Sequence, residues 1–338
     1  MKLLYPLSLV YSFIYKLDKK FSISKKLFKP VVSVGGITWG GSGKTPIVIE
    51  LLKIFVKNKK NPTVLTHGYF RKTKIPIVLK NGASGINVFD SGDEALLIAK
   101  SVKKSVVIVG ANRYDNALNF ANKINTDVYI LDDGFQHWNI ERDIDVVCIN
   151  AYNPFGNGLL IPAGNLRENL SALKRSSIIM ITNSDMIGID ELFKLKKKII
   201  DISLNNNIFM VYNDDFIYKS VDLDYNFDIE LLKKNDVYSL SAIGFIDGFT
   251  HSIKKSGIKI KDSIIFRDHS YYDNNLMKKL VKKYKNSYFV VTMKDSVKLN
   301  NIDISIKQKI AVLVVKLKFI ENDKKIWEKK ILNSLLFL

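Results

Sequence analysis

From residue 30 to about residue 205, short β-branched runs alternate with stretches of helical spacing. Residues 31–34, 62–66, 106–109, 128–131, 145–150 and 178–182 are apolar runs of strand length. Between them, residues 45–58, 92–103 and 112–124 repeat apolar side chains at helical intervals. That rhythm predicts βαβ units, and hence an α/β fold with a parallel sheet and helices on both faces. Residues 202–235 are polar and rich in Asn and Asp, which predicts a connector. Beyond it, residues 237–241, 288–293 and 310–315 predict the strands of a second, smaller α/β unit. The chain therefore divides, in expectation, into parts spanning 1–29, 30–205 and 206–338.

The first part is an apolar segment without charge from Leu3 to Tyr15, too short to span a bilayer. Leu3, Leu7, Val10, Ile14 and Leu17 fall on one helical stripe, and Lys16, Lys19, Lys20, Lys25, Lys26 and Lys29 follow closely. An apolar stripe with flanking lysines and interspersed tyrosines predicts a helix lying in a membrane interface. A core helix and a signal peptide are the competing readings, and no small-residue cleavage site follows to support the latter. Charge extends the picture: 52 Lys and Arg against 33 Asp and Glu give +19. Such a surface attracts nucleic acid, anionic membrane or phosphorylated substrates, although Lys- and Asn-rich codon usage gives the same balance. The single cysteine, Cys148, excludes an internal disulfide and any cysteine-rich zinc site. It lies in an apolar strand, as a buried thiol in a reducing compartment.

Chemistry concentrates at three places. Residues 31–46 read strand, glycine-rich turn, helix, the arrangement of a P-loop. In this reading the turn residues Gly40, Gly41, Ser42, Gly43, Lys44 and Thr45 bind nucleotide phosphates. Glycines let backbone N–H groups approach phosphate oxygens, and the helix N-terminus adds partial positive charge. Lys44 is placed to neutralise the β- and γ-phosphates, and the Thr45 hydroxyl to ligate Mg²⁺. The strict pattern requires glycine at position 38, where this chain has Thr38. Second, Asp132-Asp133-Gly134-Phe135-Gln136-His137 follows the strand at 128–131, where a P-loop enzyme holds its metal. Third, Gly92-Asp93-Glu94 opens a helix; its carboxylates read as N-terminal caps, Glu94 most plainly. His67 and His137 sit after strands, on the edge where open α/β sheets bind ligands. His251 reads as surface or helix packing, and His269 as a histidine in a polar loop.

Together these residues resemble the tetraacyldisaccharide 4′-kinase family of lipid A biosynthesis, along most of the chain. Residues 40–46 match the family's P-loop, which also lacks the first glycine, and residues 132–137 reproduce its Asp-Asp-Gly-Phe-Gln-His motif. Pro154 to Gly158, Pro162 to Gly164, Leu166 to Glu168, Asp268-His269, Thr292 and Lys294-Asp295 fit further blocks. The resemblance implies an ATP- and Mg²⁺-dependent kinase acting on the 4′-hydroxyl of a tetraacyldisaccharide 1-phosphate. It would work at the cytoplasmic face of a Gram-negative inner membrane, as a peripheral or monotopic protein without nucleic acid or an obligate protein partner. It implies two α/β domains facing across a cleft, with Asp93 paired to His269 and both acting with Lys44 in catalysis. Thr45, Asp132, Asp133 and Gln136 become the expected metal set, and Tyr69, Asn157 and Arg167 the substrate contacts. The departures are Gly35-Gly36 for Gly-Asn, His67-Gly68-Tyr69-Phe70-Arg71 for Arg-Gly-Tyr-Gly-Arg, and Ala242 to Ile246 for Gly-Ile-Gly-Asn-Pro. The alternative is a basic P-loop protein that binds nucleic acid as a nucleotide switch, though no nucleic-acid motif with interleaved aromatics is present. Intact Lys44, Thr45, Asp93, Asp132, Asp133 and His269 argue against an inactive membrane-anchored homologue.

Overall fold

A computed structural model describes residues 4–83, 85–299, 301–320 and 323–336. The chain opens with α1 (Tyr5–Phe21) and continues β1 (Val31–Gly36), α2 (Lys44–Lys57), β2 (Pro62–Thr66) and β3 (Ile77–Leu79). Then come α3 (Val88–Ser91), α4 (Asp93–Ser101), β4 (Val106–Val109), α5 (Arg113–Ala121), β5 (Val128–Asp132) and β6 (Ile144–Asn150). A 3₁₀ segment (Leu170–Arg175) leads to β7 (Ile178–Thr182), α6 (Ile189–Ser203), β8 (Ile208–Lys219), α7 (Ile229–Lys234) and β9 (Asp236–Ser241). The chain closes with α8 (Ile246–Lys255), β10 (Ile260–Ile265), α9 (Asn274–Lys283), β11 (Ser287–Thr292), α10 (Met293–Ser296), α11 (Ile304–Lys307), β12 (Ile310–Phe319) and α12 (Asp323–Leu336).

All strands join one sheet in the order β10-β9-β11-β12-β8-β7-β6-β1-β5-β2-β4-β3. β1 lies between β5 and β6, parallel to both, and every residue of these three strands is buried. Burial on both faces is why they read as unbroken apolar runs. Parallel pairing also brings the carboxyl ends of β1, β5 and β6 to one edge, which is where this architecture places ligands. Cys148 lies inside β6, where burial pushes its thiol up to about 12, so it is inert at neutral pH.

The expected connector at 202–235 is in fact a strand and a helix. Ile208 to Met210 of β8 continue the parallel sheet beside β7, and the rest of β8 turns into an antiparallel ribbon with β12. The polar middle of β8 hid it: Asp214 and Asp215 pair with Lys318 across the ribbon at 2.9 and 3.0 Å. A two-stranded ribbon outside the core tolerates charge where a central strand does not. The edge strands β3 and β10 are partly exposed and so carry no buried apolar run to mark them. The C-terminal helix α12 returns to the first half of the sheet, where Trp327 and Ile331 share a core with Val34, Ile47 and Phe55. Lys324 fixes it to the buried Glu50 of α2 at 2.6 Å.

α1 inverts the usual arrangement of a surface helix. It docks through hydroxyls: Ser8 donates to Leu160 O at 2.8 Å and accepts from Ala163 N, and Tyr11 donates to Arg167 O at 2.9 Å. Its apolar side chains face outward instead, with Leu7 53%, Val10 54%, Phe13 64%, Ile14 59% and Phe21 73% exposed. That exposure rules out the core-helix reading. Leu3 of the expected stripe lies outside the described residues. Among the described residues, no helix is long and apolar enough to cross a membrane.

Candidate active site

The glycine-rich turn leaves β1 and enters α2 at Lys44. Gly43, at φ 74°, is the residue before the helix, and a Cβ there would lie 3.0 Å from Thr182. No side chain caps α2, so its first N–H groups have no side-chain acceptor and face the turn. The ends of β6 and β7 hold the loop: Asn150 donates to Gly41 O at 3.0 Å and Thr182 to Ser42 O at 3.1 Å. The Ser42 hydroxyl is buried without a hydrogen-bond partner, against Gly36 at the end of β1, where a Cβ would come within 2.9 Å of it.

Beside the turn, Asp133 follows β5 in the left-handed region at φ 50°. Its carboxylate meets Lys44 at 3.2 Å and Arg167 at 2.9 Å. Burial alone would raise its pKa, but these two cations outweigh burial and hold it down at about 2. Asp132 contrasts with it. It is buried, accepts only the Thr66 hydroxyl at 3.0 Å, and has no ion-pair partner among the described residues. Burial, then the charges of Glu94 and Asp133, push it up to about 7. A buried carboxylate lacking a counter-ion beside a P-loop suits a divalent cation. Among the described residues no cluster of three or more His, Cys, Asp or Glu side chains could hold a metal by itself. Mg²⁺ needs only one or two protein oxygens and completes its shell with phosphate and water.

Gln136 has its amide fully engaged: Nε2 donates to Gly36 O at 3.0 Å and Glu168 at 2.7 Å, and Oε1 accepts from Arg167 at 3.2 Å. Glu168 also binds Arg175, whose guanidinium lies 3.7 Å from the Phe135 ring centre. The Asp132–His137 motif is thus a hub that orients Arg167. Asn157 uses both ends of its amide inside its own loop, donating to Ala163 O at 2.9 Å and accepting from Leu159 N. Tyr69 is half-exposed and stacks on His67 at 4.4 Å. Burial, with Arg113 nearby, lowers both His67 and His137, the latter to about 4, so both rings are neutral at pH 7.

Asp93 opens α4 after Gly92, whose φ of 82° turns the chain sharply into the helix. Its carboxylate is 5% exposed and lies 3.1 Å from His269 Nδ1, which the chain carries in from far along the sequence. Lys298 stands 3.3 Å away with a fully buried side chain, and Lys294 3.9 Å away. Burial would raise Asp93, but the His269 hydrogen bond and the two lysines together bring it to about 2. Lys298 also binds Asp295 at 3.1 Å, and Asp295 accepts from Tyr272 and Thr292 at 3.0 and 2.7 Å. Glu94 is not a cap; it pairs with Lys294 at 3.0 Å. His251 lies on α8, partly exposed, and pairs with Asp185 at 3.3 Å.

Lys298 was missed because nothing local marks it: its partner Asp93 is distant in sequence, and only its spacing from Asp295 places both on one face. Two of the departures are also informative. Phe70 stacks on His269 at 4.4 Å, and Phe245 lies against the P-loop, so that a Cβ on Gly41 would sit 2.5 Å from Phe245 Cβ. Both rings join residues 30–205 to residues 206–338, Phe70 through His269 and Phe245 through Gly41.

A family model described as tetraacyldisaccharide-1-P 4′-kinase matches residues 1–336. The chain belongs to this family. It is 32% identical over 289 residues to the tetraacyldisaccharide 4′-kinase of Halothermothrix orenii, covering 81% of this chain and 75% of that protein. The Aquifex aeolicus enzyme of the same name is 31% identical over 283 residues, with 83% of each chain covered. A crystal structure of A. aeolicus LpxK, described as an "apo" form in complex with ATP, matches with TM-score 0.75 and 27% identity over 99% of both chains. These matches establish the α/β fold and the kinase class, and none favours the nucleic-acid switch.

Proposed function

We propose that the two halves of the sheet, residues 30–205 and 206–338, act as lobes that close on ATP and a tetraacyldisaccharide 1-phosphate. The γ-phosphate then passes to the 4′-hydroxyl. The observation that carries the site assignment is the Asp93–His269 contact at 3.1 Å, made between the lobes beside a P-loop.

The roles follow from the geometry. Backbone N–H groups of Gly40 to Thr45 and the N-terminus of α2 hold the phosphates, and Lys44 leaves Asp133 to neutralise the β- and γ-phosphates. Thr45, Asp132 and Asp133 are the oxygens that would hold Mg²⁺, with Gln136 orienting Arg167 and Glu168 around them. Mg²⁺ supplies charge neutralisation across the β- and γ-phosphates. Asp93, ionised at neutral pH, accepts the Nδ1–H of His269 and so fixes the tautomer whose Nε2 takes the hydroxyl proton. Lys294 and Lys298 keep Asp93 anionic while it does so. Tyr69 and Arg167 face the sugar, and Asn157 shapes the loop at 155–166 that borders it. Phe70 and Phe245 exclude water from the closed cleft, which limits ATP hydrolysis.

The outward apolar face of α1 supports docking in a membrane interface, and a cytoplasmic, inner-membrane location suits an enzyme that needs ATP. The deciding experiment incubates purified protein with Mg·ATP and tetraacyldisaccharide 1-phosphate in non-ionic micelles. The expected product carries a second phosphate at the 4′ position. No product, in an assay where a known family member turns over, sinks the reading.

A further inference from the structure

The family's acceptor already carries a phosphate at position 1, two sugar rings from the hydroxyl that reacts. The residues assigned above account for the ATP phosphates and the 4′-hydroxyl, and leave that dianion without a partner. A pocket of 360 Å³ lies between α1 and the segment at 166–175. Lys16 and Lys19 enter it from the last turns of α1, and Lys174 from the 3₁₀ segment opposite, with Ser12, Asn169 and Ser171 as neutral donors. Its one carboxylate, Glu168, is already taken by Arg175 and Gln136. Lys19 rests over the Trp138 ring at 4.7 Å, and none of the three lysines has a carboxylate partner among the described residues.

Two features tie this pocket to the acceptor. The Arg167 main chain forms part of its wall, accepting the Tyr11 hydroxyl, while the Arg167 guanidinium reaches Asp133 next to Lys44. The pocket therefore lies one arginine side chain from the phosphate-transfer end of the P-loop. Lys16 and Lys19 also share α1 with the exposed Phe13, Ile14 and Leu17, so acyl chains resting on α1 would hold the headgroup at the level of the pocket.

We infer that Lys16, Lys19 and Lys174 form a subsite for the 1-phosphate of the acceptor, fixing which end of the disaccharide points at Asp93. The inference rests on the kinase reading above. Ammonium groups bind a phosphate monoester as point charges, and the neutral hydroxyl and amide donors complete the cradle. The same chemistry would take an anionic phospholipid headgroup, so the test separates the two sources.

The triple variant Lys16→Gln/Lys19→Gln/Lys174→Gln removes only exposed charges, so the fold is retained. Wild type and variant are assayed in non-ionic micelles free of anionic lipid, with tetraacyldisaccharide 1-phosphate and with its 1-dephospho analogue. The variant is expected to raise KM for the phosphorylated acceptor about tenfold or more, with KM for the analogue and for ATP unmoved. Equal losses on both acceptors, or no loss on either, overturn the subsite. Loss of binding to phosphatidylglycerol vesicles with both KM values unchanged also overturns it and assigns the lysines to the bilayer. If wild type turns over neither acceptor, the kinase reading itself has failed.

Discussion

Replacing Lys298 with Met tests whether the second lobe supplies the charge that keeps Asp93 ionised. Lys298 is fully buried and lies 3.3 Å from Asp93 and 3.1 Å from Asp295. At 3.3 Å the gross attraction to Asp93 is about 5 kcal/mol for an effective dielectric of about 20, before desolvation is subtracted. The titration of Asp93 gives a net figure for all its partners. A fall from 3.8 to about 2 corresponds to about 2–3 kcal/mol of stability. The folded pKa is depressed, so this stability is present above pH ~4 and is lost as pH falls through about 2. Met preserves the stem and removes the cation, leaving Asp93 with His269 and Lys294, and Asp295 with neutral donors such as the hydroxyls of Tyr272 and Thr292, which costs about 3 kcal/mol. The measurement is urea unfolding at pH 7 of Lys298→Met, Asp93→Asn and the double variant. With Asp93 already neutral, Lys298→Met should cost about 2 kcal/mol less, a coupling of the size expected for contacting charges. Equal costs in the two backgrounds, within about 0.5 kcal/mol, refute the charge coupling. In the same variant kcat should fall by about 10²-fold, because the Asp93–His269 geometry loses a support.

Lys44→Ala should abolish turnover while the protein still unfolds cooperatively; normal rates overturn its phosphate role. Gly41→Ala forces a Cβ to 2.5 Å from Phe245 Cβ at a φ of 47°, so KM for ATP should rise about tenfold. Adding Phe245→Gly should recover most of that loss, and a failure to recover means the lobes do not close at this contact. Phe13→Ser with Ile14→Ser should weaken co-sedimentation with lipid vesicles by about 1.5–3 kcal/mol per side chain, with ATP binding unaffected. Vesicle binding equal to wild type would show that the outward face of α1 does not insert. Trp327→Ala should cost about 3–5 kcal/mol on unfolding, because its fully buried ring sits in the core that α12 shares with α2.

Sequence alone determined the parallel core, the P-loop and the Asp132–His137 motif, because each is a local pattern. Buried strands need unbroken apolar runs, and a phosphate turn needs glycine within a few residues of a helix start. The amphipathic stripe of α1 was legible for the same reason, although its outward direction was not. What the tertiary structure decided is every contact between distant parts of the chain. Whether Asp93 merely caps a helix or sits in a buried charge cluster depends on His269, Lys294 and Lys298, which only the sheet order brings to it. β8 was unreadable because its polar half pairs with lysines on a ribbon rather than lying in a core. The aromatic departures at 70 and 245 appeared in the sequence as loop changes, and only folding shows them as the walls of the cleft. Local periodicity follows from the geometry of a single element, whereas the charge on a buried carboxylate is set by groups that meet only when the chain closes on itself.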